Sequence, residues 1–380
     1  MLLTGELEMV REAVRGYVAD NVTPHAAGWD RNGTFPAEAL KGLATMGCFG
    51  IAVPEQWEGA GLNYAALAVI LEEIAAGDGA TSTIISVNYC PVCSILLAWG
   101  SDAQKDRWLK PLASGRMLGA FCLTEPHVGS DASALRTTAT LADDGSGYRI
   151  NGVKQFITSG KQGDVAIVMA VTDRAAGKRG MSAFIVPTDS PGYTVARLEE
   201  KLGQHASDTA QILFEDCFVP AANLLGEPGA GYRIALSGLE GGGIGIAAQS
   251  LGMARAAFAA ALKYAREREA FGQPIFNHQA VQFRLADMAT QIEAARHLIA
   301  HAASLKDAAR PCLKEAAMAK LFASEMAERV CSDAIQIHGG YGYVSDFPVE
   351  RIYRDVRVCQ IYEGTSDIQK ILIGRALAAG

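Results

Sequence analysis

Three consecutive stretches of helical period fill the last third of the chain and constrain its fold more than any other feature. They are "IGIAAQSLGMARAAFAAALKYARERE", "HQAVQFRLADMATQIEAARHLIAHAASLKD" and "CLKEAAMAKLFASEMAERVCSDAIQIH", the last closed by Gly339 and Gly340 as a C-terminal stop. Each runs about 25 to 30 residues, well beyond the usual helix of about 10 to 14. Long helices with apolar faces and short links bury those faces against one another, so a bundle is expected.

Upstream, the texture changes twice. From Glu6 to Ser114 apolar residues recur at three and four spacing, with breaks around Gly33 to Pro36 and Pro54 to Gly61. From about Leu118 the chain turns to short runs rich in β-branched and aromatic residues, "YRINGVKQFIT", "VAIVMAVTD", "MSAFIVPTD" and "QILFEDCFVP". Strands without intervening helices predict an antiparallel sheet or barrel, and Asn151-Gly152 predicts a hairpin turn. The expected class is α+β, with a helical unit over 1–118, a β unit over 119–228 and a second helical unit over 229–380.

The net charge of -7 is spread without a long basic run, which argues against nucleic acid as the main ligand. The N-terminus "MLLTGELEMVREAVRGYV" carries acids and bases where a signal peptide has an apolar core, and no uninterrupted apolar stretch reaches about 20 residues. A soluble cytoplasmic protein is expected, with no membrane partner. Eight scattered cysteines fit reduced thiols, and Cys90 and Cys93 in "YCPVC" lack the second ligand pair of a zinc site.

Near the C-terminus, "QIYEGTSDIQKILIGRALA" pairs Ser366 with Gln369 as a capping box, so a helix should begin there. Glu363 and Gly364 then lie just before a helix N-terminus, where unpaired N–H groups can hold an anion or a thioester oxygen. The same pattern fits a solvated acid serving the helix dipole. Gly243, Gly245 and Ala248 have GxGxxA spacing without a preceding strand, so they read as a flexible entrance to a long helix and not as a dinucleotide site.

Five segments in order resemble the acyl-CoA dehydrogenase family: "FCLTEPHVGSD", "QFITSG", "REREAFGQPI" followed by "HQAVQFRLADMA", "QIHGGYGY", and "IYEGTSDIQ". The C-terminal wording is most similar to the short-chain and short-branched-chain branch. The resemblance implies a helical N-terminal domain, a middle antiparallel β-barrel and a C-terminal four-helix bundle, assembled as a homotetramer that is a dimer of dimers.

It also implies FAD as cofactor, with Phe121, Cys122, Leu123, Thr124, Gly129, Ser130, Phe156, Ile157 and Thr158 around the flavin and Thr124 and Thr158 bonding its ring. Arg268, Phe271, Gln279 and the turn Gln336, Ile337, His338, Gly339, Gly340 would reach a neighbouring subunit's FAD, with Thr365 and Asp367 beside the adenosine half. Ser130, Glu240, Gly243 and Gly364 would contact an acyl-CoA thioester, and Glu363 would take its α proton. An electron-transferring flavoprotein is the implied acceptor.

Two departures from the family pattern stand out, a missing arginine and Phe156 where many relatives have tryptophan, itself a flat apolar flavin cover. Glu240 is followed by three glycines, where many relatives place an arginine at the position of Gly243. Some relatives also carry the base where this chain has Gly242, which leaves Glu363 as the family position with a carboxylate. An acyl-carrier-protein dehydrogenase, an oxidase and a non-catalytic flavin-fold protein are the competing expectations. Tyr89, Cys90 and Trp99 are expected either to shape the pocket floor or to be core.

Overall fold

The computed structural model describes residues 5–379. Residues 1–4 and 380, which include the start of the segment read against a signal peptide, lie outside the described residues. The N-terminal helices are α1 Gly5–Asn21, α2 Thr23–Asn32, α3 Ala37–Thr45, α4 Tyr64–Gly77, α5 Gly79–Val87, α6 Ser94–Trp99, α7 Asp102–Gln104 and α8 Lys110–Ala113. The expected breaks hold: Gly33 ends α2 at φ 62, and a 3-10 turn occupies Glu55–Trp57. Local capping sets the helices that matter to the site. Asn63 accepts from the N–H of Ala66 at 2.9 Å to start α4, and Asp78 accepts from that of Thr81 at 2.8 Å to start α5.

Strands follow as β1 Gly119–Cys122, β2 Thr138–Leu141, β3 Gly147–Thr158, β4 Val165–Val171, β5 Met181–Pro187, β6 Tyr193–Leu198, β7 Thr209–Pro220 and β8 Leu224–Leu225. They form one eight-stranded sheet in the order β6-β7-β3-β2-β4-β5-β8, with β1 beside β4. The end strands β6 and β8 do not pair with each other, so the expected barrel is not closed. Nor is the sheet wholly antiparallel, because β1 and β2 each pair with β4 in parallel.

Asn151-Gly152 makes no hairpin. It lies inside β3 at a register shift against β7, where Gly152 takes φ 150 and a Cβ would stand 2.5 Å from Thr137 Oγ1. The turn joining β2 to β3 instead carries Gly145 at φ 70.

Strand alternation joins the sheet to the helices. Val165, Ile167 and Met169 of β4 enter the large core shared with the helices, while Ala166, Val168 and Ala170 enter a second core with Ala120, Cys122, Ile157 and Phe184. Both faces of β4 are therefore covered, which explains its unbroken apolar run.

The C-terminal part has α9 Gly231–Ser237, α10 Leu239–Glu267, α11 Gln279–Asp307, α12 Leu313–His338, α13 Val349–Val356 and α14 Ser366–Ala378. The three long helices appear as expected, with 29, 29 and 26 residues. Helices α10, α11 and α14 all pack on α12, and α4 from the N-terminal part packs on α10 and α11. Helix α4 is buried nearly all round because its apolar residues face both layers. Two helical stretches, Gly79–Trp99 and Gly231–Glu267, are long and apolar enough to cross a membrane, but most of each is buried inside the protein.

Candidate active site

Glu363 and Gly364 form the turn before α14, with φ values of 54 and 88. A glutamate in the left-handed region carries about 1 kcal/mol or more of backbone strain, so its surroundings must hold it there. They do so through two carbonyls. Lys320 Nζ, from α12, donates to the carbonyl of Gly364 at 2.6 Å, and Gln369 Nε2, from α14, donates to those of Glu363 and Gly364 at 3.3 and 3.0 Å.

The expected capping box does not form, and the cap sits one residue earlier. Thr365 is the N-cap and accepts from the N–H of Ile368 at 3.4 Å, while Gln369 is diverted to the two carbonyls. Among the described groups of this turn, the N–H of Glu363 bonds to nothing in the protein, whereas that of Tyr362 donates to Val358 at 3.1 Å.

Glu363 is half-buried, and among the described residues its carboxylate makes no hydrogen bond to the protein. Desolvation pushes its pKa from 4.5 up to about 7, with the charge of Lys320 pulling the other way. Opposite the carboxylate is bare backbone: a Cβ on Gly242 would lie 2.8 Å from Glu363 Oε2. Cys90 also faces Glu363. Its thiol is pushed up to about 12, first by burial and then by the Glu363 charge.

The Glu240 to Gly243 segment is not a loop. It is the first turn of α10, and successive residues point about 100° apart. Gly241 faces Tyr64 and Cys90, Gly242 faces Glu363, and Gly243 faces Ala316 of α12. An arginine at 243 would therefore start out toward α12 and away from the carboxylate. Glu240 is held by Lys306 Nζ of α11 at 2.7 Å. Of the expected floor residues, Tyr89 stacks edge-on to Tyr64 at 6.1 Å and Cys90 lies at the site. Trp99 instead donates to Ser237 Oγ at 3.0 Å, at the end of α9.

A second group of expected residues gathers where β1 and β3 end. The N–H of Gln155 donates to the carbonyl of Thr124 at 2.8 Å, and the buried Lys154 ties the carbonyl of Leu123 to Glu125, at 3.0 and 2.9 Å. Phe121 and Leu123 pack against the large core shared with the helices, Thr158 is half-buried and Phe156 is exposed. Cys122 and Ile157 turn into the sheet core, so they offer a ligand only backbone groups. Phe156 is 62% exposed at φ 58, an apolar ring with nothing over it. Gly129 and Ser130 are exposed in the loop beyond.

The third group lines a cavity of about 590 Å³: Arg268, Ile337, His338, Gly339 and Gly340, with Tyr264 and Tyr341. His338 stacks on Tyr264 at 4.4 Å, its Nδ1 is 2.7 Å from the carbonyl of Ala334, and its buried Nε2 has no partner. Phe271, Gln279 and Gln336 are exposed and lie outside this lining. Thr365 is spent on the α14 cap, and Asp367 is exposed beside Lys370 at 3.7 Å.

Sequence reasoning missed Lys320 and Tyr362. Lys320 had a signal, since its neighbours one turn away, Ala316, Ala323 and Ser324, mark the buried face of α12. Tyr362 had none, because its role depends on a chain of distant groups. Its hydroxyl donates to Gln249 Oε1 at 2.7 Å, Gln249 donates to Thr83, and Thr83 donates to Gln204 Oε1 at 2.7 Å. Gln204 in turn donates to Asp355, which pairs with Arg351 at 3.6 Å. Tyr362→Phe leaves the Gln249 acceptor unpaired and should cost about 1–3 kcal/mol, read as a lower denaturation midpoint.

The fold thus presents a half-buried carboxylate facing bare backbone, an exposed apolar ring near two threonines, and a separate cavity with an unpartnered ring nitrogen. The Acyl-CoA dehydrogenase N-terminal, middle and C-terminal domain families match residues 4–116, 120–217 and 229–378. An acyl-CoA dehydrogenase of Bacillus subtilis (strain 168) is 46% identical over 380 residues, covering 100% of both chains. The short-chain specific acyl-CoA dehydrogenase of Rattus norvegicus mitochondria is 46% identical over 366 residues, 96% of this chain and 88% of that one. Butyryl-CoA dehydrogenase from Megasphaera elsdenii superposes with a TM-score of 0.97 at 40% identity, over 100% of this chain and 99% of that one. The chain belongs to the acyl-CoA dehydrogenase family, and it is an FAD-dependent oxidoreductase.

Proposed function

We propose that this enzyme oxidises a short-chain acyl-CoA, straight or branched, to the trans-2-enoyl-CoA, with Glu363 removing the α proton. The observation that carries the reading is that one residue offers both parts the chemistry needs. Its carboxylate is desolvated and faces the bare backbone of Gly242, and its own N–H has no protein partner.

An α C–H beside a thioester is a poor acid, so a base must act while a donor stabilises the oxygen that gains charge. The Glu363 carboxylate takes the proton and its N–H serves the thioester oxygen. When bound, FAD supplies the two-electron acceptor for the hydride that leaves the β carbon. Glu363 would take the α proton, and loss of the β hydride to the acceptor that FAD would supply completes the double bond.

The residues fit FAD. Phe156 offers an apolar face, and among the described residues the hydroxyls of Thr124 and Thr158 make no hydrogen bond to protein, so both can serve a polar ring edge. The cavity at Arg268 and His338 suits the remote half of a neighbouring subunit's FAD, with Phe271, Gln279 and Gln336 completing that contact. We take Ser130, Glu240 and Gly364 as thioester contacts. Gly243 fits that role less well, because it faces Ala316.

The same reading takes the chain as three units, 1–118, 119–228 and 229–380, the last a four-helix bundle of α10, α11, α12 and α14. It assigns a homotetramer in the cytoplasm with an electron-transferring flavoprotein as acceptor. A panel from butyryl-CoA to palmitoyl-CoA tests the substrate class. The highest kcat/KM is expected at four to six carbons, and a maximum at long chains would refute the short-chain assignment.

The acid limb of kcat/KM should lie near pH 7, because Glu363 must be ionised to act. The same shift has a stability consequence. Native Glu363 holds its proton more tightly than the unfolded chain does, so its contribution falls as pH rises from 4.5 and levels off above about 7. Glu363→Gln should therefore stabilise the fold at pH 8, by up to about 3 kcal/mol, and far less at pH 5. Thermal midpoints at the two pH values check this.

A further inference from the structure

Lys320 is wholly buried on α12. Burying an ammonium costs several kcal/mol unless polar partners compensate. Here its hydrogen bond goes to a neutral group, the carbonyl of Gly364 at 2.6 Å; the groups that act on it are Cys359 and then Glu363, and burial keeps the Cys359 thiol protonated, which leaves Glu363 as the anion. Burial alone draws its pKa down to about 8 against those two groups. A leucine or methionine would fill the site without that cost, so the position carries a task that apolar packing does not explain.

The groups facing Glu363 come from several elements. Lys320 approaches from α12, Cys90 from the segment between α5 and α6, and the backbone of Gly242 from α10. Lys306 of α11 acts on Cys90 but is paired with Glu240 at 2.7 Å. Lys320 is thus the cation that acts on the carboxylate.

We propose that Lys320 is a positioning residue of the dehydrogenation. Through the Gly364 carbonyl it fixes the strained Glu363–Gly364 turn, and its ammonium stabilises the ionised form of the base. The proposal rests on the reading of Glu363 as base. It assigns Lys320 no contact with substrate.

Lys320→Met removes both the donor and the charge. The acid limb of kcat/KM should move up by about one pH unit, the direction expected when a carboxylate loses an adjacent cation. At the plateau kcat should fall roughly ten-fold or more as the turn loosens, with KM nearly unchanged. A merely structural lysine would lower the melting temperature and leave the acid limb where it was.

The coupling is reciprocal, so it can also be read on the lysine. With lysine labelled by carbon-13 at Cε, the Lys320 resonance should titrate about one pH unit lower in Glu363→Gln than in the unsubstituted protein. This measurement needs no turnover and decides the matter if Lys320→Met does not fold. A folded Lys320→Met enzyme with an unmoved acid limb, or a Lys320 midpoint indifferent to Glu363→Gln, overturns the proposal. Failure of the base assignment looks different: Glu363→Gln would keep turning over.

Discussion

Glu363→Gln is expected to lower kcat for a short acyl-CoA by roughly a thousand-fold or more, within or above the range of about 10² to 10⁴ for a positioned general base. Glutamine keeps the shape of the side chain and cannot accept the proton. FAD content should be unchanged, because the residues that fit the cofactor lie at the ends of β1 and β3 and around His338. The fold should survive, since Gln369 and Lys320 grip the carbonyls of the turn and not the carboxylate. Loss of turnover with FAD retained and the melting temperature raised at pH 8 is a combination that general damage does not produce.

Gly242→Ala carries the second large effect. The new methyl would lie 2.8 Å from Glu363 Oε2, closer than unbonded atoms settle, and the carboxylate is the part free to move. Displacing a base by about 1 Å costs on the order of 100-fold in rate. Stability should move the other way, because alanine is favoured over glycine within a helix by about 1 kcal/mol. Steady-state kinetics beside a melting curve separate the two. A fully active Gly242→Ala enzyme would mean that the carboxylate works from another position.

Much of this architecture could be read along the chain because it depends on local period. Helices α10, α11 and α12 declared themselves through apolar spacing, and Gly339 at φ 60 ended the last of them as its sequence indicated. What failed was punctuation that tertiary contacts reinterpret. Asn151-Gly152 has hairpin chemistry, yet Gly152 is needed where β3 passes tightly over Thr137. Glu240 to Gly243 looks too glycine-rich for a helix, but the closeness of Tyr64 and Glu363 requires bare backbone there, and packing against α4 and α12 holds the helical form.

The site was legible in part for the same reason. Glu363 stood out by its place before a helix and by family resemblance, but nothing local revealed that Gly242, 121 residues earlier, faces it. The alternation that turns Cys122 and Ile157 into the sheet core was available in the sequence, since each follows an aromatic on the opposite face of its strand. Gln369 was read as a capping residue because its spacing from Ser366 allows that. The two carbonyls of a strained turn are a stronger demand, and they took it.

The central claim is that Glu363 drives oxidation of a short thioester, and anaerobic mixing with butyryl-CoA tests it most directly. Oxidised-flavin absorbance should bleach within a single turnover in the unsubstituted enzyme and stay nearly constant on that timescale in Glu363→Gln. Bleaching at the same rate in both, or in neither with any thioester of four to six carbons, would contradict the account.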